Sequence, residues 1–306
     1  MSHLLKSRSG NSAFTLIELL VVIAIIGILV ALTSAGVMKI LSRGQTVAAR
    51  TELSQLEAAI AAAKQNFGNV DSLPSKINLH SDANSLMNDN SQIGINTRNF
   101  LTKAFGKAWI PLPTQTSPSV VYSSTPYMFW MGAGYTGTYP VTLTGMEALV
   151  FWLGGIRDNN IGTFLGFSSY PSTPWDITNA KRKGPFYEFK QKQIVTLPGT
   201  INYTMVNNSG GAYAYFSSSE YAYFLANPLG GIVYPYHKSP TAPVASSSYY
   251  NPKTFQLISS GQDKTFGSLL PNNPVPGGYY KPPYASGSPI FDDIANFSAL
   301  QLGVGE

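Results

Sequence analysis

From Leu19 to Leu32 every residue is apolar or glycine, and no charge interrupts the chain between Leu19 and Met38. At about 1.5 Å of rise per residue, a helix over Phe14 to Met38 can cross a hydrocarbon core of about 30 Å. A secretory signal peptide would carry a small-residue cleavage site after its apolar core. Here Thr33-Ser34-Ala35-Gly36 leads straight into Val37 and Met38, so the segment is expected to be retained. Lys6 and Arg8 precede the span while Lys39, Arg43 and Arg50 follow it, so counting positive charges does not orient it.

One carboxylate, Glu18, stands near the start of this span. A charge in hydrocarbon is expensive, by a few kcal/mol, and marks a functional position by default. The residues alone leave a second reading open, a glutamate solvated at headgroup level with no role. The string FTLIELLVVIAIIGILVAL, from Phe14 to Leu32, closely resembles the N-terminus of type IV pilins and type II secretion pseudopilins. The resemblance covers about the first fifty residues.

In that family a prepilin peptidase cuts on the cytoplasmic side and N-methylates the new terminus. The resemblance therefore implies a leader over 1–13, a cut between Ala13 and Phe14, and Glu18 as the fifth mature residue. Ala13 stands where the family normally has glycine. A buried carboxylate is tolerable when paired and hydrogen-bonded. The ammonium created at Phe14 can serve as that partner from a neighbouring subunit in a fibre, which would make Glu18 a register-setting charge. The leader is expected in the cytoplasm and the remainder outside, with the span in the inner membrane.

After Met38 the pattern turns amphipathic. Leu53, Leu56, Ile60, Ala63 and Phe67 recur at helical spacing, the alanines around them favour helix, and Gly68-Asn69 supply a stop. One helix is expected over about Phe14 to Phe67, its first half (14–38) transmembrane and its second (39–67) packed on a head formed by 68–306. Gly27, Gly36 and Gly44 are its weak points.

Within the head, Val70 to Gln92 reads as a mostly irregular surface loop with one short turn of helix. Arg98 to Phe105 reads as a short helix ended by Gly106. Thr144-Gly145-Met146-Glu147 has capping-box spacing before an apolar helix that stops at Gly154-Gly155. Ile201–Val206 and Ala212–Phe216 flank a Gly-rich turn and read as a hairpin, with further strands at Tyr221–Phe224, Ile232–Tyr234 and Phe255–Ser259. The fold class expected is α+β and pilin-like: a long helix packed on an antiparallel sheet with large loop insertions.

Charged residues form only 11% of the chain, against about 25% in soluble domains. Without cysteine there is neither disulfide nor thiolate metal site. The net charge of +5 is not gathered into a basic face interleaved with aromatics, so no nucleic-acid partner is expected. His3 lies in the leader, His80 and His237 stand apart in loop-like sequence, and Glu188 and Glu220 have no evident partner. With no nucleophile, phosphate-loop or His-rich metal spacing, an enzyme is not expected. Lys181-Arg182-Lys183 reads as a solvated basic turn.

The C-terminal portion, Leu257 to Gly267 followed by Asp292-Asp293-Ile294, resembles the end of type II secretion major pseudopilins, where a loop commonly holds Ca2+. Hard cations take six to eight oxygens. Asp263, Asp292 and Asp293, with carbonyls of Leu257 to Ser260, are the ligands this resemblance implies; capped turns are the competing reading. The expected function is a pseudopilin-like fibre subunit of a type II secretion or related machine. Its partners would be prepilin peptidase, an inner-membrane assembly platform and other pilin-like subunits. The rivals are a surface pilin with an adhesive head and a membrane-tethered binding protein that never polymerises.

Overall fold

The computed structural model describes residues 15–80, 83–108, 140–158, 162–172, 174–178, 180–196, 203–207, 210–221, 225–227, 231–238, 249–266, 279–280, 293–298 and 302. The chain divides into two compact units, Met1–Gly44 and Gln45–Glu306. The first holds the start of α1, the helix over Leu16–Asn66. Its side chains from Leu16 to Thr33 are all exposed.

In the second unit α1 becomes one-sided. Leu53, Leu56, Ile60, Ala63 and Phe67 are buried, while Thr51, Ser54, Ala58, Ala61 and Gln65 on the opposite face are exposed. Burying each Leu or Ile contributes about 1.5–3 kcal/mol. The helix ends where Gly68 and Asn69 both take positive φ, 83° and 53°, and the Val70 N–H turns back to the Lys64 carbonyl. That bond satisfies a carbonyl the helix would leave orphaned.

The region from Val70 to Gln92 is more ordered than its Asn- and Ser-rich sequence suggests. It contains β1 (Lys76–Leu79) and α2 (Ala83–Met87), and it leads into α3 (Gln92–Phe105), which starts well before Arg98. Ser91 caps α3 by accepting the Gly94 N–H, and Gly106 ends it with φ 78°. β1 pairs antiparallel with β2 (Val141–Thr144), Lys76 opposite Thr144. Polar residues thus hide a strand whose partner is far away in sequence. α4 (Met146–Gly154) follows, with the Thr144 N–H donated to Glu147 Oε2 at 2.9 Å. This is the glutamate half of the expected capping box.

Short ladders then succeed one another. β3 (Phe167–Ser168) pairs with β4 (Arg182–Lys183), and β5 (Ile194–Thr196) with β6 (Tyr203–Met205). The Val206–Ala212 bridge joins β6 to β7 (Tyr213–Ser217), giving the expected hairpin. Tyr221 lies in a turn after a 3-10 segment over Ser218–Glu220, where a strand was expected. The Glu220 carboxylate is drawn inward to Ser75 there, and Tyr221 Oη–H donates to the Asn251 carbonyl at 2.8 Å, so both residues serve turns. β8 (Leu225–Asn227) pairs with β9 (Gly231–Val233). β10 (Tyr236–His237) runs parallel to β12 (Tyr279–Tyr280), and β11 (Phe255–Ser259) pairs antiparallel with both β7 and β13 (Ile294–Ala295).

The β13–β11–β7 sheet partitions the head. Tyr213, Tyr215 and Leu257 face a core shared with α1, α3 and α4. Ala214, Phe216 and Ile258 alternate to the other side, into a second cluster with Tyr221, Tyr236 and Leu302. The described architecture is α+β: a long helix followed by helices and small, mainly antiparallel sheets.

Candidate functional site

Helix α1 opens on a reciprocal cap. The Thr15 N–H and Oγ1–H both donate to Glu18 Oε2, at 2.8 and 2.7 Å, and the Glu18 N–H reaches Thr15 Oγ1 at 3.3 Å. The carboxylate that seemed misplaced at the start of an apolar span thus satisfies the first turn of its own helix. The T-x-x-E spacing of Thr15 and Glu18 was the available signal for this. Beyond it, Leu16–Thr33 is a helical stretch long and apolar enough to cross a membrane, with none of it buried. Thr33 hides its hydroxyl by donating to the Leu29 carbonyl at 2.9 Å.

Residues 8–34 match the prokaryotic N-terminal methylation motif. The chain carries a type IV pilin-like prepilin signal. The matched segment brackets Ala13, Phe14 and Glu18; Ala13 and Phe14 lie outside the described residues. No curated protein and no solved structure matches the chain.

Where the pilin-like helix enters the head, acidic side chains fasten it to the sheet. Glu52 is buried on α1; Gln193 Nε2 donates to its Oε1 at 2.8 Å and Tyr213 Oη–H to its Oε2 at 2.5 Å, with Lys190 Nζ 3.9 Å away. Burial and the adjoining Glu52 charge push the Tyr213 and Tyr187 hydroxyls up. Further along the helix, Glu57 Oε1 accepts from Asn296 Nδ2 at 3.0 Å, and Asn296 Oδ1 accepts the Leu257 N–H.

Glu220 does have a partner. It is buried under the chain leaving α1, accepts the Ser75 N–H at 2.8 Å and also bonds Ser75 Oγ. Burial pushes its carboxyl up against the opposing pull of Ser75 and Lys76. His80 is likewise paired, its Nε2 2.9 Å from Asp89 Oδ2, which also accepts from Asn78. Nothing in the local sequence signals these contacts, because each joins residues that only the fold brings together.

Arg182 is no solvated turn residue: its guanidinium donates to the carbonyls of Leu165, Gly166 and Asp176. The suggested calcium ligands are distributed unevenly. Asp263 is exposed and its Oδ1 accepts the Thr265 N–H, as the capped-turn reading expects. Asp293 is buried, with Tyr236 Oη 3.3 Å from its Oδ2. Asp292 lies outside the described residues. Among the described residues no three His, Asp or Glu side chains come together in a way that would hold a metal.

Proposed function

We propose that this protein is a structural subunit of a pseudopilus-like fibre, in type II secretion or a related type IV pilus-like machine. The observation that carries the reading is the methylation motif, laid over an exposed apolar helix whose first turn holds a lone carboxylate. Prepilin peptidase would cut between Ala13 and Phe14 and methylate Phe14. The released ammonium would compete with Thr15 for the Glu18 carboxylate of a neighbouring subunit as the apolar helices pack. Before assembly the subunit would sit in the inner membrane with its leader in the cytoplasm and its head outside. Asp263, Asp292 and Asp293 remain the residues through which a Ca2+ ion would act, should the C-terminal loop bind one.

Intact mass and N-terminal sequencing of the membrane-extracted protein test this directly. The expected terminus is N-methylated Phe14; an unprocessed Met1 terminus overturns the proposal. In cells, Glu18→Ala is expected to insert into the membrane yet lose fibre assembly, and fibre yield equal to the parent would remove Glu18 from the mechanism.

A surface pilin with an adhesive head is the second reading. It is favoured by the second apolar cluster, which builds the head outward beyond the layer packed on α1. Fibres seen at the cell surface by microscopy would support it over the secretion role.

A further inference from the structure

The four residues Ser72-Leu73-Pro74-Ser75 lie between the end of α1 and β1, and every one of them is held by a group from elsewhere in the head. Ser72 Oγ meets Ser217 Oγ at 2.9 Å. Tyr215 Oη–H donates to the Leu73 carbonyl at 2.7 Å, and Trp152 Nε1–H to the Pro74 carbonyl at 3.0 Å. At Ser75 the N–H and hydroxyl go to Glu220, the carbonyl accepts the Gly145 N–H at 2.7 Å, and the hydroxyl oxygen accepts the Ser217 N–H at 3.0 Å. The holding groups come from β7, from α4 and the glycine before it, and from the 3-10 turn behind β7. Just before this strap, Phe67 sits edge-on against Phe100, Phe105, Trp152, Phe167 and Phe186, with centroids 5.4–6.1 Å away.

We propose that this strap and the Phe67 plug form the mechanical anchor through which a pull along α1 is passed to the head. The mechanical role rests on the fibre reading, in which each subunit is drawn by its helix. The aliphatic contacts of Leu53, Leu56 and Ile60 are non-directional, and ahead of the strap α1 is tied to the head by the bonds of Glu52 and Glu57. Hydrogen bonds are directional and lose strength steeply when misaligned. Without the strap, tension leaving α1 would arrive at β1, whose four-residue ladder with β2 is open to unzipping pair by pair. The strap intercepts that tension and spreads it into β7 and α4, which lie in the buried middle of the head.

Because the chain has no cysteine, paired thiols can be placed at will. The full chain, in detergent, would carry Gln45→Cys and Lys253→Cys, both exposed positions, and be pulled between them in an optical trap. Ser75→Ala and Tyr215→Phe each delete one hydroxyl of the strap. Leu302→Ala weakens the second cluster instead, away from the strap. The expected result is that both strap variants lose the highest-force rupture of the parent, while Leu302→Ala keeps it despite an equal or greater fall in Tm. Rupture forces that simply follow Tm across the three variants, or that do not change, overturn the anchor. Either result leaves the fibre reading to be decided separately by the N-terminal mass, so the two can fail independently.

Discussion

At the scale of single residues, Phe67 and the buried carboxylates have consequences that can be measured on the head. Phe67 is fully buried among five aromatic rings, so Phe67→Ala removes both transfer energy and packing. The expected loss is about 3–5 kcal/mol, read from urea unfolding. Asp89 and Glu220 should pull the pH dependence in opposite directions. Burial alone would raise the Asp89 carboxyl, but hydrogen bonds from Ser91, Asn78 and His80 outweigh it and hold it well below the usual range. A depressed folded value stabilises above the unfolded one and is lost as pH falls below about 4. Thermal midpoints of Asp89→Asn and the parent should therefore converge on acidification.

Glu220 is the reverse case. Its raised folded value means the folded state binds the proton more tightly, so its contribution grows on acidification. That contribution disappears as pH rises from the ordinary value of 4.5 through the raised one. The midpoint of the parent relative to Glu220→Gln should rise as pH falls across that window. A difference that does not vary with pH would show that the carboxyl is not perturbed.

At the scale of elements, what local chemistry determines was readable and what distance determines was not. The limits of α1 fell within two residues at its start and one at its end, because the apolar run and Gly68-Asn69 are local signals. β11 was readable to the residue, and α4 with its glutamate cap nearly so. β1 was missed: its partner strand does not begin until Val141, and its buried Asn78 donates its N–H to Thr97 Oγ1 and accepts from Thr142 Oγ1, contacts that no local pattern shows. The same reason hid the strap, since Ser75 and Glu220 meet across 145 residues.

In the candidate site, Glu18 stands out in the sequence as a residue out of place, and its T-x-x-E spacing with Thr15 is the local signal for the cap it forms. The close approach of β3 to the end of α4 was invisible. Gly155 has φ 72°, and a Cβ there would lie 2.3 Å from the Gly166 backbone. Gly155→Ala combines that clash with left-handed strain and should lower the thermal midpoint sharply. The same substitution at Gly44, where an added Cβ meets nothing within 4 Å, should not.

At the scale of the whole molecule, the β13–β11–β7 sheet of the head carries apolar material on both faces. Among the described residues Tyr213, Tyr215, Tyr221, Tyr236 and Tyr249 are all buried, and the hydroxyls of the first four are bonded to Glu52, Leu73, Asn251 and Asp293. Composition alone does not reveal this burial, because it does not show that the sheet is covered on both faces. A chain truncated after Phe266 loses β13 and uncovers one side of β11. It should bind a hydrophobic dye and be cut by protease under conditions where the parent resists both.

The link between Asn296 and Glu57 spans 239 residues, from nearly the last strand back to the first helix. On the proposed fibre reading the head is delivered across the membrane N-terminal end first, so α1 is present long before that strand exists. Through most of its emergence the helix therefore waits beside an unfinished sheet, and the final fastening forms only once the last part of the chain arrives. On that reading, completion of the head thereby becomes a clock: a subunit whose delivery is interrupted carries a full helix with no closed head behind it.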